Sequence, residues 1–318
     1  MKNVAVLSST TSNCITGRSS DNRRGIVLIF SSAVVWSSGG VLKRFITTSD
    51  DWTIIFWRSL WAALFLLGFM LFRDGRRGTV QLFAKMGLPG IGVAICFAIA
   101  STCFVIALAY TTVANILMMQ AGTPLIAALL IWFLFREKVT VPTWIAISFV
   151  IFGVVVMVSD SFSGHVSPIG DSLSLMIVFA FAFAIVITNR YTHVRMIPAT
   201  CLGTFLATCV SGSLAGTFDV TLVDMGILMA FGILNLGLGL ALFVTGAPLI
   251  SSTLVALIGT AEPILGPIWM WLIHDEVPSF RTIVGGLIVL GALFSHLSWR
   301  IYRQKSAIVS KTQVNHSA

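Results

Sequence analysis

Charged residues are scarce in this sequence. Lysine, arginine, aspartate and glutamate together make up only 10% of its 318 residues, whereas a soluble globular chain has about 25%. Hydrophobic residues make up 57%, while disordered chains are polar and rich in charge. The composition therefore argues against a soluble enzyme and against a disordered chain, and it indicates an integral membrane protein.

Motifs for metal, disulfide and nucleotide chemistry are missing as well. The five cysteines include no Cys-x-x-Cys pair, and the five histidines form no His-Glu-x-x-His motif. The sequence has no Gly-x-x-x-x-Gly-Lys-Ser/Thr loop and no Ser/His, Asp/Asp or histidine cluster within an apolar run. We therefore expect no metal, no cofactor, no ATP-driven motor and no enzymatic activity.

The basic charge of the chain is spread out rather than concentrated. Lysine and arginine exceed aspartate and glutamate by 20 to 12, which gives a net charge of +8. A nucleic-acid partner would need these charges on one accessible face. Because they lie scattered at the ends of apolar runs, we expect no nucleic-acid partner.

Ten apolar runs follow one another along the chain, each of about 20 residues, the length that crosses the hydrocarbon core of a bilayer. We predict ten transmembrane helices, at 26–46, 53–72, 86–109, 113–135, 142–159, 172–189, 198–217, 225–247, 249–273 and 282–299. The loops between them are too short for a soluble domain. The expected fold is an all-α membrane protein with polar tails at 1–25 and 300–318.

The distribution of lysine and arginine predicts the orientation in the membrane. With the N-terminus inside, sixteen basic residues fall in inner tails and loops and only three in outer loops. Cytoplasmic segments carry such an excess. We therefore predict that both termini are cytoplasmic, in the plasma membrane or, in a bacterium, the inner membrane.

Proline, tryptophan and glutamate recur at one offset in the fourth and ninth predicted spans. The matching segments are Thr123-Pro124…Trp132…Glu137 and Glu262-Pro263…Trp271…Glu276, which lie 139 residues apart. Two apolar helices can look alike by chance, but these three residue types are rare or costly in such helices. The match predicts an internal repeat.

The predicted repeat units contain five spans each, at 26–159 and 172–299. Because five is odd, equivalent helices cross the membrane in opposite directions. Inverted repeats of this kind are a known design of secondary transporters, in which the two halves exchange conformations. The expected architecture is therefore two inverted five-helix repeats.

Short motifs in both halves point to a known family. They are Trp36-Ser37-Ser38, Leu42-Lys43-Arg44, Phe56-Trp57-Arg58-Ser59-Leu60, Ala107-Leu108-Ala109-Tyr110-Thr111-Thr112 and the two Pro…Glu segments above. In this order and duplication they resemble the EamA-type family of the drug/metabolite transporter superfamily, over about residues 26–298. Where that family usually has Gly-Glu at a helix end, this chain has Arg136-Glu137 and Asp275-Glu276. The resemblance implies a ten-helix carrier of small organic solutes.

Glu262 is the foremost candidate for a functional role, because an ionisable residue inside a span usually faces a cavity or a partner. It lies midway along the ninth predicted span, directly before Pro263, which loosens the helix. Its carboxyl group could bind a substrate amine or carry a coupling proton. It could also brace a neighbouring helix through a hydrogen bond.

Six further residues are candidates for a central substrate cavity: Trp36, Arg58, Tyr110, Asn115, Gln120 and Asn235. Arg58 could bind an anionic group or extend to the interface, and with Glu262 it would form a pair of anchors for an amino acid. The amides could bind substrate or hold helices together, and the aromatic residues could stack on substrate or mark the interface. We expect the fifth and tenth spans to lie outside this cavity.

The sequence thus predicts a secondary-active, alternating-access transporter of small organic metabolites such as amino acids, amines or related compounds. The alternative is a multi-helix membrane enzyme or receptor without transport activity. The expected partners are a small solute and the lipid bilayer, and a homodimer is an alternative to a monomer.

Overall fold

A computed structural model describes residues 22–137, 139–159, 167–191 and 195–316. Most of the predicted N-terminal tail at 1–25 lies outside these residues. The helices are α1 Asn22–Phe45, α4 Val113–Ala121 with Thr123–Phe135, α5 Val141–Val158, α6 Pro168–Arg190, α7 Met196–Leu214, α8 Leu222–Leu249, α9 Ser252–Gly259 with Ala261–His274, and α10 Phe280–His316. Helices α2 and α3 both lie within Asp51–Tyr110.

The long helical stretch Asp51–Tyr110 holds two membrane spans rather than one. Gly75 and Gly87 take positive φ values of 69° and 59° inside it, a region of backbone space that glycine adopts without a steric penalty. Helix α2 precedes Gly75 and α3 follows Gly87. The described residues therefore contain ten spans, and the predicted all-α membrane fold is confirmed.

Helices α4 and α9 are broken in the same way, which shows the repeat in three dimensions. The hydroxyl groups of Thr112 and Ser251, 139 residues apart, cap their first segments by accepting backbone N–H bonds. A turn at Gly122 interrupts α4, and a turn at Thr260 interrupts α9. The two segments of α4 meet at an angle of 45°. With the offset of 139 residues, the two breaks fall within one residue of each other.

The ends of these two helices also correspond. Arg136 and Asp275, which lie 139 residues apart, both take the left-handed conformation, with φ of 53° and 51°. For a residue with a side chain this conformation costs about 1–2 kcal/mol. The chain turns back at both points as a glycine would allow, so Glu137 and Glu276 emerge in matching geometry.

Three regions differ from the predicted spans. Helix α8 contains a π-helical stretch at Phe231–Leu238, which faces α2. Helix α1 has a turn at Ser38 near its middle. Helix α10 extends to His316, beyond the predicted boundary at 299, as a polar continuation of the apolar span.

Helices α5 and α10 pack against each other through glycine. A Cβ atom on Gly153 would lie 2.7 Å from the carbonyl oxygen of Gly285, and one on Gly285 would lie 2.5 Å from that of Gly153. Such small residues let two membrane helices approach closely. This contact pairs the last helix of each half.

We expect Gly153→Ala to destabilise this pair by about 1–3 kcal/mol, because the added methyl group would overlap backbone that cannot rotate away. Gly291 of α10 has nothing within 4 Å of its Cβ direction, so Gly291→Ala is the matched control. Thermal unfolding in detergent gives the melting temperature of each purified variant. Equal melting temperatures for the two variants would contradict the close contact.

Candidate functional site

The two halves are joined at their predicted outer end by an ion pair that also caps a helix. Arg44, in the last turn of α1, donates from Nη2 to Oε2 of Glu276 at 2.9 Å. The other carboxylate oxygen of Glu276 accepts the backbone N–H of Val113 at 3.0 Å. We call Arg44, Val113 and Glu276 the outer clasp.

Local geometry explains why Glu276 reaches this position. The left-handed Asp275 ends α9, and the next N–H, that of Glu276, donates back to the carbonyl of Met270. The carboxylate then meets the first N–H group of α4, which has no partner within its own helix. The partial positive charge of a helix N-terminus favours an anion there. The clasp thus connects α1, α4 and α9.

Further polar contacts close the same end. The loop after α1 is held by Asp224 of α8, which accepts hydrogen bonds from the backbone and hydroxyl of Thr47 and from the hydroxyl of Thr48. Asp50 accepts the N–H of Gly216 at 3.2 Å. Burial alone would raise the pKa of Asp50, but its hydrogen bonds outweigh this effect and lower the pKa.

The predicted inner end lacks an equivalent clasp within the described residues. Glu137, the counterpart of Glu276, makes no hydrogen bond or ion pair with any described residue. Arg190 ends α6 as Arg44 ends α1, but its guanidinium group lies 5.5 Å from the ring centre of Phe135. The described residues contain no hydrogen bond between the halves at this end. Within the described residues, the outer end is therefore held by bonds between the two halves that the inner end lacks.

Near the middle of the membrane, α8 and α9 hold the break in α1. The amide nitrogen of Asn235 donates to the carbonyl oxygens of Val35 and Trp36, at 2.8 and 3.0 Å. The indole of Trp269 in α9 donates to the hydroxyl of Ser37 at 3.0 Å. Of the residues predicted to line the cavity, Trp36 and Asn235 thus lie together.

One turn from this contact, α9 seals against α1 and α4. A Cβ atom on Gly266 would lie 2.2 Å from the side chain of Leu117 and 3.7 Å from the carbonyl oxygen of Ser37. We call Ser37, Leu117, Gly266 and Trp269 the central seal. Glu262 lies one turn on the inner side of it, half-buried, in the first turn after the break in α9. It makes no hydrogen bond or ion pair with a described residue.

Arg58 is buried, with 3% of its surface exposed. Its guanidinium donates to the hydroxyl of Ser101 at 2.9 Å and lies 4.3 Å from the ring centre of Phe231 in α8. Its Nε has no partner among the described residues. No ion pair joins Arg58 to Glu262. Arg58 instead contacts α3 and α8.

Asn115 joins α4 to α6. Its amide donates to the carboxylate of Asp171 at 2.6 Å and to the hydroxyl of Thr111 at 3.0 Å, and the residue is 1% exposed. Gln120 is half-buried, and its side chain bonds no described residue. Tyr110 is 44% exposed at the outer end of α3. Among the seven predicted site residues, only Gln120 and Glu262 thus combine a position on the inner side of the central seal with polar groups that bond no described residue.

Sequence analysis did not assign the outer clasp. Glu276 served there as a marker of the repeat, and Arg44 as part of a motif. The position of Glu276 after a helix end does not by itself assign a contact, because Glu137 also follows a left-handed helix end and bonds no described residue. The partners of Glu276, Arg44 and Val113, lie 232 and 163 residues away, which no local pattern reveals.

The chain is similar to known proteins in family and in fold. The model of the EamA-like transporter family matches residues 23–159 and again residues 168–297. None of the curated proteins compared matches the sequence.

Among solved structures, the crystal structure of a protein has a similar fold, with a TM-score of 0.59 and 15% sequence identity. The similarity covers 85% of this chain and 95% of the other. At this identity the likeness concerns the fold. Both five-helix halves match the same family model, which agrees with the repeated breaks and helix ends of α4 and α9. The chain belongs to the EamA-like transporter family.

Proposed function

We propose that the protein is a secondary-active carrier of small organic metabolites that works by alternating access. The observation that carries this proposal is that equivalent residues of the two halves make different contacts at the two ends of the protein. Glu276 is bound at one end, and its repeat counterpart Glu137 is unbound at the other. Two equivalent halves in unequal arrangements are what an exchange of conformations between inverted repeats requires.

The alternate state follows from the repeat. In it, Glu137 would cap the N-terminus of the first α9 segment at Ser252, the counterpart of Val113, with Arg190 in the place of Arg44. The outer clasp would then be released. We propose that the present arrangement is the state that opens to the cytoplasm. In this orientation both termini are cytoplasmic, and the protein lies in the plasma membrane or the bacterial inner membrane.

We propose that solute and proton bind on the inner side of the central seal. Glu262 lies there with a free carboxyl group, and Gln120 of α4 offers an amide on the same side. An anionic carboxylate selects an amine, which favours amines and amino acids among small metabolites. Arg58 forms no ion pair with Glu262 and is held by Ser101 and the ring of Phe231, so it would bind a solute carboxylate only after α2 or α8 moves.

Flux through vesicles tests the proposal. The full-length protein is reconstituted into proteoliposomes and given a mixture of isotopically labelled amino acids and amines under an imposed pH gradient. We expect at least one compound to accumulate unchanged, and protein-free vesicles serve as the control. A compound that is chemically altered would support the alternative of a membrane enzyme. A complete lack of flux for all compounds, in both directions, would contradict a carrier of this class.

A further inference from the structure

A cavity of about 400 Å³ opens at the predicted cytoplasmic ends of α4, α5 and α10, away from the outer clasp and the central seal. Its lining combines cationic side chains with hydroxyl groups and an indole. Arg300, Arg303 and His296 come from α10, and Thr140 and Thr143 come from the start of α5. None of these residues takes part in the transport mechanism proposed above.

The cations of this cavity lack anionic partners within the described residues. Neither Arg300 nor Arg303 forms an ion pair with any of these residues. The buried Nδ1 of His296 has no hydrogen-bond partner there either. Glu137 also lines the cavity and contributes one negative charge, so the two arginines leave a net positive charge. A buried polar atom without a protein partner is open to a bound ligand or a water molecule.

The start of α5 adds a second attraction for an anion. The hydroxyl of Thr140, at the N-cap position, bonds the hydroxyl of Thr143 at 2.8 Å instead of capping a backbone N–H. The N-terminus of this 18-residue helix therefore keeps its positive field. Helix N-termini with neighbouring arginines suit a phosphate group.

The position in the membrane identifies the source of that phosphate. Trp299 lines the cavity beside Arg303, whose guanidinium lies 5.3 Å from the indole ring centre. Tryptophan and arginine at the end of a span mark the head-group level of a bilayer. The apolar residues Ala128 and Ile131, which lie one to two turns before the inner end of α4, also line the cavity and suit acyl chains. We infer that this cavity binds the phosphate of an anionic phospholipid head group.

Native mass spectrometry of the full-length protein tests this site. The protein is purified with phosphatidylglycerol, and the Arg300→Gln/Arg303→Gln double variant is compared with Arg76→Gln/Arg77→Gln, which removes the same charge from exposed positions at the same end. We expect lipid affinity to fall roughly 30-fold in the first variant, at about 1 kcal/mol for each arginine, and less than about threefold in the second. Equal retention of lipid by both variants would overturn the assignment.

Two further arms separate the lipid from other occupants. Arg300→Lys/Arg303→Lys keeps the charge and should retain most of the lipid, so loss of lipid in this folded variant would overturn the electrostatic account.

An excess of inorganic phosphate should not displace phosphatidylglycerol, because it lacks acyl chains. Displacement would identify the ligand as free phosphate and overturn the lipid assignment. If the glutamine variant loses a dimer rather than lipid, the cavity is an interface between two copies of the chain, and the lipid assignment is overturned as well. The result does not depend on whether the protein transports solutes.

Discussion

Glu262→Gln is expected to lower uptake driven by a pH gradient by at least about tenfold, the scale of one pK unit or about 1.4 kcal/mol. The amide keeps the shape of the side chain and its place in the first turn of the second α9 segment, but it cannot bind and release a proton. Because Glu262 bonds no described residue, folding and membrane abundance should be preserved. Uptake into proteoliposomes and quantitative immunoblotting measure the two quantities.

Exchange of solute against solute separates coupling from binding in the same variant. Exchange needs no net proton movement, so it should persist in Glu262→Gln if the residue carries the proton and should fail if the carboxylate binds the solute amine. Glu262→Asp retains the carboxyl group and serves as the conservative control. If Glu262 only braces α9, the glutamine variant will either lose abundance or transport normally. Normal gradient-driven uptake at normal abundance would remove Glu262 from the mechanism.

Glu276→Ala is expected to open the outer end of the protein about tenfold more often. The variant loses the ion pair with Arg44 and the bond from the N–H of Val113. The ion pair is partly solvated, with Arg44 39% and Glu276 16% exposed, so it contributes at most about 1 kcal/mol. The hydrogen bond to a charged acceptor contributes about 1.5–3 kcal/mol. Together they exceed the about 1.4 kcal/mol that shifts an equilibrium tenfold.

Labelling from outside measures this shift. A cysteine at Gln120, on the inner side of Leu117, is introduced into a protein whose five native cysteines are replaced by serine. Its reaction with a membrane-impermeant thiol reagent should accelerate about tenfold in Glu276→Ala. The repeat supplies the matched comparison, because Glu137→Ala removes the proposed cap of the alternate state and should therefore slow outside labelling rather than accelerate it.

The charge-swapped variant Arg44→Glu/Glu276→Arg separates the two contacts of the clasp. It restores an ion pair but not the acceptor for Val113, so labelling should fall between the wild type and Glu276→Ala. Equal rates in all of these proteins would show that the outer clasp does not hold the outer end closed.

The architecture was predictable because hydrophobicity and residue spacing are local properties of the chain. Ten apolar runs predicted ten helices, and the offset of 139 residues predicted that α4 and α9 correspond. Their matching caps at Thr112 and Ser251 agree with that offset. The shape of the helix ends at Arg136 and Asp275 was not predicted, because neither residue is a glycine, yet both take the left-handed conformation in spite of its cost.

Contacts between distant segments were not predictable, because spacing along the chain gives no distances in space. The sequence left open whether Asn235 binds substrate or holds helices, and in the structure it donates to the two carbonyl groups beside the turn in α1. It also left open whether Arg58 lies near Glu262, whereas Arg58 contacts Ser101 and Phe231. The π-helical stretch of α8 depends on packing against α2, which no local pattern encodes.

Paired spin-label distances test most directly whether the two ends open alternately. One pair, at Phe45 and Val277, spans the outer ends of α1 and α9, and the other, at Tyr191 and Val141, spans the inner ends of α6 and α5; all four residues are exposed. The pairs are measured in the protein with and without Glu276→Ala, which releases the outer clasp without the need for a known solute. We predict that the outer distance lengthens while the inner distance shortens in the same variant. An outer distance that lengthens with no change at the inner end, or two distances that change in the same direction, would contradict alternating access between the halves.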